Sequence, residues 1–293
     1  MDSTILAVSD AWNAKGIFTK DAVAKVLIEN STISATTKSD ITTGSDGPAA
    51  DGLTVGSAST VSNIKNSRIF ADAKGANVTA GAFAVGISNV GIMHLKNVDV
   101  LGTHSGCNSS GKLHVSGGTF CGFCHGGFYI VRNEDGGEAF INDALIKCGN
   151  YNQVLDEDGE TVLFGHFVDK YATEEMLGKI YAATYVGYDN NTAYFDGCTF
   201  DHAGVHFCVV LRGSSGEQNI TVNISNSTIG DDGWIRVDNE THTLNVGVGT
   251  DITADKIRDK NGTSQPGWVV FTNKLYRKSS SEDVAVLHNY SDN

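Results

Sequence analysis

Arginine is scarce in this chain, which holds 21 Lys plus Arg against 34 Asp plus Glu. Three arginines nevertheless stand at the ends of short apolar runs. Arg132 follows Phe128-Tyr129-Ile130-Val131, Arg212 follows the run from Val205 to Leu211, and Arg236 follows Trp234-Ile235. If Val205, Phe207, Val209 and Leu211 point inward from a strand, alternation turns His206, Cys208, Val210 and Arg212 outward. The same register puts Arg132, Arg236 and Asp238 outward on neighbouring strands. Convergent guanidinium forks can neutralise a uronate carboxylate, after which His206 or Tyr188 could remove the proton α to it. On that reading His206, Arg212, Arg132 and Tyr188 are catalytic, and Arg236 and Asp238 contact substrate. The competing reading is structural: strand-end arginines pair with acids such as Asp238 and Asp189.

A second group is a column of rings. His94, His114, Phe140 and Tyr194 recur at one position of a repeated frame, each between apolar neighbours such as Met93/Leu95 and Leu113/Val115. Those neighbours face inward, so the rings face outward. They could form a strip for sugar rings, or pack beneath another part of the chain.

Other motifs carry less. Cys121-Gly122-Phe123-Cys124-His125 matches the C-x-x-C-H pattern of covalent haem attachment, but it joins two strands where a helix would be expected. A turn with two semi-buried thiols is the preferred reading, and no second ligand pair completes a zinc site. Gly165-His166-Phe167 lacks the second glycine of the Gly-His-Gly motif expected of a polygalacturonase-like hydrolase, and Asp231-Asp232 has no partner motif. Asp156-Glu157-Asp158-Gly159-Glu160 could hold calcium but lacks EF-hand spacing, so a solvated acidic loop is expected. No metal site and no cofactor are predicted.

What must position these residues is a repeat. Val26-Leu27-Ile28-Glu29-Asn30-Ser31-Thr32-Ile33 shares a frame with the segments at 62–69, 93–100, 113–120, 139–146, 193–200 and 222–229. The frame is apolar-x-apolar-x-[Asn/Gly/Asp]-x-x-apolar. Period-two alternation is a half-buried strand, and the Asn, Gly or Asp tolerates a left-handed turn. Strand, bend and strand make an L-shaped corner, and stacked corners would let asparagines bond to their counterparts. A third apolar strand lies between most corners, for example Leu53-Thr54-Val55, Phe83 to Ile87 and Trp268 to Phe271. Corners recur about every 20 to 36 residues, with one gap near 55, within the spread of solenoid repeats. Ile28, Ile64, Leu95, Val115, Ile141, Phe195 and Ile224 should form one inward ladder.

The expected fold is all-β: a single-stranded, right-handed parallel β-helix of about 8–9 coils. Its divisions are an N-terminal cap (1–25), the β-helix (26–272) and a C-terminal tail (273–293). An insertion at 149–181 fills the wide gap. Asp169 to Ile180 reads as a short helix capped by Thr173, so the insertion is expected to be partly helical, over a binding face or as a lid on apolar surface.

The Asn corner, the three strands per turn and the variable loops resemble the pectate-lyase-like right-handed parallel β-helices, across roughly residues 26 to 272. The resemblance implies architecture more than chemistry. Many such proteins cut or bind polysaccharide along a groove beside one sheet, while others are tailspikes, adhesins or epimerases. The implied partner is a polysaccharide or surface glycan, and the rival to a lyase is a non-catalytic binding or fibre module.

Bulk composition narrows the field. Thirty-four glycines with two prolines suit many tight turns between strands that keep their N–H donors. A net charge of −13 opposes nucleic acid and anionic membranes. No run approaches the apolar length of a membrane span, and no signal peptide is visible at Met1-Asp2-Ser3-Thr4; a secreted or cell-surface location is the expectation. Six cysteines with apolar or glycine neighbours read as core fillers. Sequons at Asn30, Asn77, Asn219 and Asn226 follow from an Asn/Ser/Thr-rich composition.

Overall fold

The computed structural model describes residues 3–10, 13–20, 25–37, 49–73, 84–102, 104–122, 126–131, 138–148, 151–155, 162–167, 182–187, 190–201, 207–213, 219–231, 233–259, 269–272, 274–275 and 288–289. They form a parallel β-helix with three long sheets. The first sheet holds nine strands from Lys25–Glu29 to Val269–Phe271, the second holds seven from Ser3–Ser9 to Thr199–Asp201, and the third holds nine from Ala14–Thr19 to Ile257–Arg258. Every pairing within these sheets is parallel and joins one coil to the next, as between Val61–Lys65 and Ile92–Lys96. Strands Ser3–Ser9 and Ala14–Thr19 pair with Ser31–Thr37 and Ala50–Val55, so the chain ahead of the first corner already contributes to the solenoid.

The corner is a left-handed backbone position in all seven matches to the frame. Asn30, Asn66, Asn97, Asp143 and Asn226 have φ of 49°, 47°, 51°, 54° and 46°, and Gly117 and Gly197 have 71° and 66°. Asn and Asp reach this region at modest cost because their short polar side chains bond locally. The N–H at each corner donates to the next coil, as from Asn66 to the Lys96 carbonyl at 2.9 Å and from Asn97 to that of Ser116 at 2.9 Å. The Asn97 amide also donates to the Asn66 side-chain oxygen, at 3.4 Å. One residue on, the Ser67 hydroxyl donates to the Lys65 carbonyl at 2.7 Å and accepts the Ser31 N–H at 3.1 Å.

The inward ladder is in register throughout. Ile28 pairs with Ile64, Ile64 with Leu95, Leu95 with Val115, Val115 with Ile141, Ile141 with Phe195 and Phe195 with Ile224. All seven are buried in one continuous core. The third sheet reaches that core through a column of small residues. A Cβ on Gly16, Gly52 or Gly86 would lie within 2.7 Å of the carbonyl of the matching glycine one coil on, and equally close to Ile33, Ile69 or Val100 of the second sheet. The absent side chain lets strands of two sheets approach. Where the third sheet turns into the first, buried Asn89 donates to Gly91 O and Ser109 Oγ at 3.1 Å each, and accepts the Gly91 N–H at 3.0 Å. This satisfies polar groups that burial would otherwise leave costly.

The insertion contains an antiparallel pair, Tyr151–Leu155 with Val162–Phe167. The second of these strands lies against Ser31–Thr37 and Arg68–Ala73, on the second sheet several coils back. Phe70, Leu101 and Cys121, outward on that sheet by register, are all buried. The helix expected near 169–180 falls outside the described residues.

Candidate functional site

The outer face of the third sheet gathers the strongest chemical candidates. Its outward column runs Tyr129, Tyr185, Val210, Arg236, Arg258 by register. Tyr129 and Tyr185 meet edge to face, with ring centroids 5.1 Å apart at 65°. Tyr185 and Val210 form a buried apolar patch with Ala182, flanked by half-buried Tyr129 and Phe207. Phe207 in turn meets Trp234 edge-on, at 6.5 Å and 68°. Cations interleave with the rings: Arg236 sits 5.7 Å from the Phe207 centroid and Arg258 4.4 Å from that of Trp234, inside the range of cation–π attraction.

Phe207 and Cys208 do not alternate as expected. The register steps from Phe207↔Trp234 to Val209↔Ile235, which leaves Cys208 as an extra residue in its strand. This bulge turns Phe207 outward into the aromatic patch and Cys208 fully into the core. The Cys208 thiol donates to the Ile229 carbonyl at 3.4 Å, and burial pushes it up to about 12. Val209 and Leu211 point inward and Val210 outward, as alternation requires once the bulge is passed.

The arginines are held unequally. Arg236 grips Asp238 with a bidentate fork, Nε to Oδ1 at 2.5 Å and Nη2 to Oδ2 at 3.0 Å. Arg212 reaches the same carboxylate only at 3.9 Å, and its side chain is 47% exposed against 23% for Arg236. The structural reading, strand-end arginines paired with Asp238, therefore holds at hydrogen-bond distance for Arg236 and at the outer limit of an ion pair for Arg212. Just after Arg212, the Gly213 N–H donates to Nε2 of buried His242 at 3.1 Å, which fixes the end of that strand. Arg132, Tyr188 and His206 lie outside the described residues, as does Asp189. Arg258 and Trp234 joined no site in the sequence reading. Arg258 lies on a two-residue strand, too short to show period two, and Trp234 gained meaning only from its register against Phe207.

The ring column on the first sheet is a single stack. His94 and His114 lie 4.7 Å apart at 9°, His114 and Phe140 5.3 Å at 2°, and Phe140 and Tyr194 4.6 Å at 1°. Asn223 and Asn245 continue it as an amide ladder, Asn245 donating to Asn223 at 2.8 Å. Ring faces are turned to one another and edges outward. Phe140 is buried; the other three rings are partly exposed.

Among the other sequence candidates, Cys121 is a buried free thiol, pushed up to about 12 by burial. Cys124 and His125 fall outside the described residues, as do 156–160. Among the described residues no three metal-ligating side chains gather, and no helix is long and apolar enough to cross a membrane. No family model, no curated protein and no solved structure matches the chain.

Proposed function

We propose that this protein is a secreted or surface-exposed β-helix that engages an acidic polysaccharide along the outer face of its third sheet. The observation that carries this is Arg212: a half-exposed guanidinium, loosely tied to an acid, at the edge of a patch built from Phe207, Trp234, Tyr129 and Tyr185. Aromatic side chains with one apolar and one wet side suit sugar rings, and a guanidinium matches a carboxylate geometrically. The likeness of the corner repeat to pectate-lyase-like helices supports a groove beside one sheet. In the catalytic form of the proposal, His206 or Tyr188 is the base, with Arg132 and Arg212 on the carboxylate. In the binding form, the same face holds glycan without turnover. That form is favoured by Arg236, whose fork is already occupied by Asp238.

A panel of acidic and neutral polysaccharides, followed by binding and by the ultraviolet absorbance of an unsaturated product, separates the two forms. Arg212→Ala should weaken binding or turnover at least about tenfold, or about 1.4 kcal/mol. His206→Ala should abolish turnover and leave most binding if the catalytic form holds. A parent that binds no glycan in the panel, or an Arg212→Ala variant that behaves like it, removes the proposal.

A further inference from the structure

Where the third sheet passes the chain to the first, buried polar side chains tie down the strand ends. Asn89 bonds to Gly91 and Ser109, and Asn191 donates its amide to the Gly187 carbonyl at 2.6 Å. Two coils beyond Gly187's own strand partner in sequence, His242 accepts the Gly213 N–H on Nε2 at 3.1 Å. Each of the three is 1% exposed or less. The first two are amides and carry no charge at any pH, whereas the third is the side chain whose charge ordinarily changes between about pH 5 and 8.

The bond from Gly213 closes the strand Phe207–Arg212. The Asp238 N–H donates to the Leu211 carbonyl at 3.1 Å, and beyond it the imidazole stands where a ladder carbonyl would. The ring is held from both sides, because the His242 N–H donates to the Asn239 carbonyl at 3.1 Å and the Thr243 N–H to that of Ile220 at 2.8 Å. A ring nitrogen that accepts an N–H carries no proton of its own. The ring is therefore neutral, with its proton on Nδ1, 3.5 Å from the Thr241 hydroxyl. A proton added at Nε2 would set N–H against N–H and break the bond. Charged side chains on the adjoining elements are Arg212, Arg236 and Asp238 on the third sheet, exposed Glu240 in the ring's own turn, and Arg258 and Asp259 one coil on. The neighbouring heads of first-sheet strands, Asn191 and Ile220, are uncharged.

We infer that His242 is a proton-operated latch on the glycan-binding face, a positioning residue that acts through Gly213. The inference rests on the reading of that face proposed above. Neutral His242 pins the strand end that carries Arg212; protonated, it releases that end. Arg212 is one residue from the released amide, and its contact with Asp238, at 3.9 Å, is at the outer limit of an ion pair. Its placement therefore depends on the backbone beneath it, and acid weakens glycan binding.

The test follows polygalacturonate binding to the full chain at about pH 7.5 and about pH 4.5, together with the hydrogen-exchange protection factor of the Gly213 amide. On acidification the parent should lose at least about tenfold in affinity, and Gly213 should lose its protection. His242→Gln keeps an acceptor oxygen that does not titrate, so its loss should stay below about threefold with protection retained. His242→Ala has no acceptor and should bind weakly, with Gly213 unprotected, at both pH values. A Gly213 amide still protected in the acidified parent, or a His242→Gln variant whose affinity and protection fall as the parent's do, would overturn the inference. A parent that binds no polygalacturonate at about pH 7.5, yet loses Gly213 protection in acid where His242→Gln does not, supports the latch and counts against the glycan reading alone.

Discussion

On the outer face of the first sheet, His94, His114, Phe140 and Tyr194 lie plane on plane, within 9° of parallel. On the outer face of the third, Tyr129 meets Tyr185 and Phe207 meets Trp234 at more than 60°, with arginines over Phe207 and Trp234. Both faces carry aromatic columns on parallel strands about 4.8 Å apart, so spacing alone does not set the outcome. Nor does register alone, since Tyr129 and Tyr185 pair in unbroken register and still cross at 65°. On the first sheet the rings cover one another's faces. Each stacked pair adds about 1 kcal/mol beyond its burial while using up the surface a sugar would need. On the third sheet the rings cross, a bulge at Cys208 turns Phe207 outward toward Trp234, and Arg212 lies beside Asp238. The first face is a closed stack, whereas the second leaves aromatic rings beside arginines.

The core beneath both faces sets the upper limit of any test. Ile224 lies fully buried between Phe195 and Val246 of the adjoining coils. Ile224→Asp would place a carboxylate among aliphatic and aromatic neighbours, and should cost more than about 4 kcal/mol. Loss of a cooperative melt is expected. A variant melting near the parent would show that the coils do not stack as one core, and the contrast between faces would go with it.

A crossed pair of substitutions sharpens the contrast itself. Phe140 is 7% exposed and stacked on both sides, so Phe140→Ala should destabilise by about 3 kcal/mol. Glycan binding by the folded fraction should be unchanged. Trp234→Ala, at a half-buried ring under Arg258, should do the reverse, losing at least about tenfold in affinity with a smaller drop in melting temperature. Measuring both properties on both variants decides the matter. If Phe140→Ala abolishes binding while Trp234→Ala leaves it intact, the assignments are exchanged.

The corner and ladder were legible because each depends on a local rule. Left-handed backbone selects Asn, Asp or Gly, and half-burial selects period two, so Asn30 through Asn226 and Ile28 through Ile224 could be placed from one strand at a time. The bulge was not legible. An extra residue is defined only against the neighbouring strand, and nothing in Phe207-Cys208-Val209 marks which side chain is surplus. Parity before it therefore came out reversed, with Phe207 assigned inward and Cys208 outward. Arg258 was missed for a related reason, since two residues carry no period. The hairpin in the insertion did leave a signal: Asp158-Gly159 lies between the paired segments 151–155 and 162–167, and an Asp-Gly dipeptide between alternating runs favours a hairpin turn. The acidic residues around it read instead as a solvated loop.

The histidines give the smallest and most specific test. His94 and His114 lie partly exposed in the regular stack, whereas His104, at the head of the third-sheet strand Ser105–Ser109, is 7% exposed and is lowered from 6.5 to about 4 by burial. Above about pH 6.5 His104 is neutral in the folded and unfolded chain alike, and titration contributes nothing. As pH falls, the unfolded chain takes up a proton that the folded chain refuses until about pH 4, so the unfolded state binds more protons and stability falls. The loss accumulates between those two values, reaches at most about 3 kcal/mol, and then levels off. His104→Gln cannot take up that proton. The comparison to make is therefore the difference in unfolding free energy between parent and variant, measured at pH 7 and again near pH 4.5, because carboxylates common to both cancel. That difference should shift toward the variant by about 2 to 3 kcal/mol on acidification. A difference that does not move with pH would mean that His104 is solvated or paired in its charged form, and that the head of the third sheet is more open than its burial implies.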